Sequence, residues 1–130
     1  MRLSGLVFLV LLAGCSNPSM GPKAPLDLQF VLAPGESTDV QDAGIRLRFE
    51  GVSGDSRCPG DATCIQAGDA LVRVSVLSSG TVATHDLHTG NMQPLHHGEV
   101  TIALVQLTPY PFVSRPIAAN DYRATLRVTR

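Results

Sequence analysis

Tyr122-Arg123-Ala124-Thr125-Leu126-Arg127-Val128-Thr129 decides the fold. Tyr122, Ala124, Leu126 and Val128 fall at every second position, so an extended chain puts all four on one face. The intervening arginines and threonines then face water, as in a half-buried strand of an antiparallel sheet. Ile45-Arg46-Leu47-Arg48-Phe49-Glu50 repeats the pattern after an Asp42-Ala43-Gly44 turn. Leu71-Val72-Arg73-Val74-Ser75-Val76-Leu77 is rich in β-branched residues and ends in a Ser78-Ser79-Gly80 turn. Residues 26–32 alternate before a Pro34-Gly35-Glu36-Ser37 turn, and residues 82–87 form a weaker strand.

Val100-Thr101-Ile102-Ala103-Leu104-Val105-Gln106-Leu107 is apolar on both faces, which predicts a central strand. A helix there is excluded by its shortness and by Pro109 and Pro111. No stretch carries the period of a long amphipathic helix, and no internal repeat is visible. The expected fold is therefore all-β: a small antiparallel β-sandwich of about six or seven strands, occupying residues 26–130. So few strands favour a two-sheet sandwich over a closed barrel.

Charge and composition exclude some functions. Ten Lys+Arg against 11 Asp+Glu give a net charge of −1, so the chain lacks the basic surface that nucleic-acid binding requires. Aromatic residues are only 5% and Trp is absent, which argues against a stacking platform for bases or sugars.

The N-terminus reads as a targeting segment. Arg2 is followed by the apolar run Leu6-Val7-Phe8-Leu9-Val10-Leu11-Leu12-Ala13. That run is far short of the ~20 residues needed to span a bilayer, and it suits the core of a signal peptide. It ends in Leu12-Ala13-Gly14-Cys15, which resembles the lipobox of bacterial lipoproteins. The resemblance implies removal of residues 1–14 and lipidation of Cys15. With two or three acyl chains such an anchor is stable, and the membrane becomes a partner through the N-terminal lipid. Ser16 is not the aspartate that this class associates with inner-membrane retention, so the outer membrane is favoured if the source has two membranes. Residues 15–25, with Pro18, Pro22 and Pro25, read as the lipidated N-terminus and a tether.

Lipidation would consume Cys15 and leave Cys58 and Cys64. An even pair in an exported chain is most simply a disulfide, worth roughly 2–2.5 kcal/mol for so short a loop. The alternative is a metal pair, which would need two further ligands, and Cys-x5-Cys is not a usual zinc spacing. The segment Asp55-Ser56-Arg57-Cys58-Pro59-Gly60-Asp61-Ala62-Thr63-Cys64-Ile65-Gln66-Ala67-Gly68 resembles a motif of small bacterial exported proteins of unknown function. In that group D-S-R-C-P leads to a second cysteine, an aliphatic residue and often Trp-Ala-Gly. This chain has Gln66 where many have Trp. Leu107-Thr108-Pro109-Tyr110-Pro111 and the final strand extend the likeness over most of residues 45–130. The resemblance implies an exported β-domain with one disulfide, and it carries over no catalytic or ligand residue.

Candidate chemistry is sparse. His85 and His88 would face opposite sides of a strand, and His96-His97 are expected in a loop after Pro94. A metal site from His88, His96 and His97 requires the loop ends to meet, and Met92 would suit a soft ion; exposed loop histidines are the simpler reading. No Gly-x-Ser-x-Gly elbow and no Gly-rich phosphate loop occur. Arg57 is expected to brace the cysteine loop by pairing with a carboxylate, with Asp61 and Asp69 as the candidates, or else to face a partner. The expected role is non-enzymatic, without a cofactor: binding or structural work in the cell envelope, with an envelope protein as partner. The alternatives are a periplasmic metal-handling module using the histidines and a small hydrolase inhibitor presenting the cysteine loop.

Overall fold

The computed structural model describes residues 23–130. The expected signal peptide, the lipidation site Cys15 and most of the tether lie outside the described residues. The elements are β1 (Gln29–Leu32), β2 (Ser37–Val40), β3 (Ile45–Asp55), β4 (Ala70–Ser78), β5 (Thr81–His88), β6 (Leu95–His97), β7 (Val100–Thr108) and β8 (Arg123–Thr129). A 3-10 turn, Ala119–Asp121, precedes β8. The strands form two four-stranded sheets, ordered β1-β8-β7-β6 and β2-β3-β4-β5, and every neighbouring pair is antiparallel. The two sheets pack face to face as a sandwich around one apolar core.

Alternation builds that core. Leu47 and Phe49 of β3, Val72, Val74 and Val76 of β4, and Ala124, Leu126 and Val128 of β8 are all fully buried. Burying a Leu, Val or Phe side chain stabilises by roughly 1.5–3 kcal/mol, so these few residues outweigh any surface contact. β7 has one buried face, Val100, Ile102 and Leu104. A register shift between Leu104 and Gln106 then turns Leu107 inward in place of Gln106. The strand lies inside its sheet as expected, but its second face is half-exposed rather than buried.

There are eight strands among the described residues, against the six or seven expected. The additional ones, Ser-Thr-Asp-Val in β2 and Leu-His-His in β6, are too short and polar to carry a readable period. The first strand begins at Gln29 rather than Leu26 because Asp27 adopts φ 64° and its N–H bonds the Val128 carbonyl. The folded part also starts earlier than expected. Ala24, assigned to the tether, is buried, bridges to Val40 and bonds Asp39 and Gln41 through its backbone. The chain thus enters beside the β2–β3 and β4–β5 turns. The cysteine loop between β3 and β4 and the proline-rich loop between β7 and β8 lie at the opposite end.

Candidate functional site: the loop end of the sandwich

Arg57 organises this end. Its Nε and Nη2 donate to the two carboxylate oxygens of Asp55 at 2.9 and 2.7 Å. Nη1 donates to the Leu107 carbonyl at 2.9 Å, and Nη2 also donates to the Pro109 carbonyl at 3.0 Å. The Tyr110 ring lies 5.6 Å from the guanidinium carbon, within cation–π range. Tyr122, at the foot of β8, donates its hydroxyl to Asp55 at 2.9 Å. The Arg57 and Asp55 side chains are only 7% and 12% exposed. One buried fork therefore ties the end of β3 to the end of β7 and to the start of β8.

The electrostatics follow from this geometry. Burial alone would raise the Asp55 pKa, but the hydrogen bonds from the Arg57 side chain and backbone and from Tyr122 outweigh it and hold the carboxyl below its ordinary range. The bond to Asp55 raises Arg57 further, and burial next to that carboxylate raises the Tyr122 phenol.

The expected partners of Arg57 are corrected here: neither Asp61 nor Asp69 pairs with it, and Asp55 does. Asp61 accepts from the Val113 N–H at 2.7 Å and from Ser114, pinning the proline-rich loop against the cysteine loop. The Gly60 N–H bonds the Pro111 carbonyl, and the Gly60 backbone lies against the Phe112 ring. Asp69 accepts from the Gly90 N–H at 2.7 Å and meets His88 Nδ1 at 2.6 Å. Each acid thus anchors a different loop to the same frame.

Cys58 and Cys64 are bonded, with their Cα atoms 5.9 Å apart. The two legs of the loop are zipped by Ser56 N–H to Asp69 O and Cys58 N–H to Ala67 O. Gly68 makes the close approach possible. It has φ 71°, and a Cβ there would lie 1.7 Å from the Ser56 carbonyl oxygen.

The histidines fall elsewhere than expected. His96 and His97 belong to β6, not to a loop, so they face opposite sides. His96 is exposed beside Thr101, His88 is held by Asp69, and His97 lies edge-on to His85 at 6.5 Å. Among the described residues no group of three or more His, Cys, Asp or Glu side chains is placed to hold a metal ion, and His88, His96 and His97 do not converge.

Sequence reasoning missed the apolar surface at this end. Ile65, Met92, Tyr110, Phe112 and Val113 are all exposed, and Ile65, in the cysteine loop, is fully so. They come from three loops, so no local pattern joins them. A groove of about 420 Å³ opens at this end, bordered by Ala67, Met92, Leu107 and Tyr110, so that two of these exposed residues, Met92 and Tyr110, line it. Another cavity, about 500 Å³, lies at the other end near Lys23 and Asp39. It is open and lined by turns and strand ends, with Asp39 already engaged by Arg46. No protein-family model, no curated protein and no solved structure matches this chain.

Proposed function

We propose that this chain is a lipid-anchored bacterial envelope protein that acts by binding, not catalysis, and that the loop end is its binding surface. The observation that carries the reading is the opposition of the two ends. The chain enters the sandwich at Ala24, while the exposed apolar side chains of the loops lie at the far end. A lipid on Cys15, joined through a short proline-containing tether, would leave that surface free to face a partner. The acids there are occupied: Asp55 by Arg57, Asp61 by backbone N–H groups, Asp69 by Gly90 and His88. The exposed apolar side chains there offer shape and area for recognition, which suits a protein partner.

Lipidation is tested by expressing the native chain and Cys15→Ala in a bacterial host and fractionating the membranes. The native chain is expected in the membrane fraction with an acyl-chain mass increment, and the variant is expected unprocessed or soluble. A variant that still partitions with membranes at normal mobility contradicts the anchor. A second reading, inhibition of an envelope hydrolase, is favoured by the fully exposed Ile65 on a disulfide-closed loop. It predicts co-purification with such a hydrolase that Ile65→Asp abolishes.

A further inference from the structure

The groove beside β7 has a specific shape. β6 pairs with β7 only through residues 95–97 and 100–102. Beyond Ile102 the β8 side of β7 remains paired, but on the β6 side residues 103–108 have no strand paired with them among the described residues; Thr89, Gly90 and Met92 of the β5–β6 connection border the groove that opens there. An unpaired edge offers backbone N–H and C=O groups as a template for another strand. On this edge the Leu107 carbonyl is taken by Arg57, which sets where a new ladder must stop.

We propose that this edge binds an extended, uncharged and largely apolar segment of a partner protein, which continues the line of β6 along β7. The inference rests on the binding role given above to the loop end and names what is bound there. The interrupted ladder argues for an extended segment, because a helix or a compact small molecule would leave the edge groups unmatched. Met92 and Tyr110 border the groove and are exposed, so alternate side chains of an added strand find apolar contacts while its backbone finds hydrogen bonds. Arg57 is the charged side chain bordering the groove, and Asp55 neutralises it. A charged segment would therefore lose hydration without gaining a partner. The free edge of β5 is longer, and most of its residues are exposed.

The test uses the full chain in phospholipid nanodiscs and a defined probe: an eight-residue alternating Thr–Val peptide with a solubilising lysine at each end. Binding is read by fluorescence anisotropy of the labelled peptide, and its position by hydrogen–deuterium exchange. Saturable binding with new protection confined to residues 103–108 is expected. Met92→Asp, with unchanged unfolding temperature, should weaken it at least about tenfold, as for a central contact. The same peptide N-methylated at alternate residues should not bind, because it cannot form the ladder. Absence of binding, equal binding of the N-methylated peptide, or protection appearing on β5 instead would each overturn the proposal. Because Cys15→Ala leaves the groove intact, failure of the anchor and failure of the groove are read separately.

Discussion

Two arginine–carboxylate forks of nearly the same geometry stand at opposite ends of this sandwich. Arg57 grips Asp55 at 2.9 and 2.7 Å, and Arg46 grips Asp39 at 2.8 and 3.0 Å. Their surroundings differ. The first pair is 7% and 12% exposed and has Leu107, Pro109 and Tyr122 as further partners. The second is 52% and 48% exposed and joins directly opposed residues of β2 and β3. Distances alone would rank them equal. Water competes freely for the exposed pair, whereas the buried pair has given up its hydration and depends on every remaining bond. The end where the chain enters is thus held by ordinary strand pairing. The loop end, which has little regular pairing, is held by the Arg57–Asp55 network, by the loop anchors at Asp61 and Asp69, and by a disulfide.

The contrast is broken most forcefully at Arg57. Arg57→Ala leaves Asp55 buried and half-paired and should cost ~3–5 kcal/mol, read as the fall in unfolding free energy with the disulfide intact. Unchanged stability would mean that the loops hold themselves without it. Removing the disulfide by Cys58→Ala with Cys64→Ala should cost less, ~2 kcal/mol, by denaturant titration. The core strands should remain folded.

Acid should act mainly on the loop end. Asp55 has a depressed folded pKa, so its contribution is complete above its unfolded value near ~3.9 and is lost as pH falls through the folded value. Tyr122 runs the other way. Its folded pKa is raised, so its contribution is intact below its unfolded value near ~10 and is lost as pH rises through the folded one. Hydrogen exchange of residues 56–69 should therefore quicken at both pH extremes before that of β4 does. The smallest effect is expected from Arg46→Ala, which should leave the unfolding temperature essentially unchanged and more so at high salt.

The fold was legible where one side of a strand meets the core and the other meets water. Residues 45–50 and 122–129 show this, and the structure buries Ile45, Leu47, Phe49, Tyr122, Ala124, Leu126 and Val128. Legibility ended where β3 passes Gly51 and Gly54, since register shifts there interrupt the alternation. That interruption hid the continuation of the strand to Asp55, and with it the relation of Asp55 to Arg57. Two residues apart at a strand end, they share a side. The two-residue spacing is the signal the sequence carries for this pair. The other partners of Arg57, Leu107 and Pro109, lie about fifty residues along the chain and come together only through the packing of the two sheets. The exposed apolar surface was hidden for the same reason, being assembled from three separate loops.

A double-mutant cycle at the buried fork tests the central claim most directly, with Arg57→Leu, Asp55→Leu and the double variant compared by equilibrium unfolding. If the pair holds the loop end as a unit, each single replacement strands a buried charge. The double replacement should then be more stable than the sum of the two losses by ~1–3 kcal/mol. Losses that add to within ~0.5 kcal/mol would contradict the account and leave the two side chains as independent packing residues.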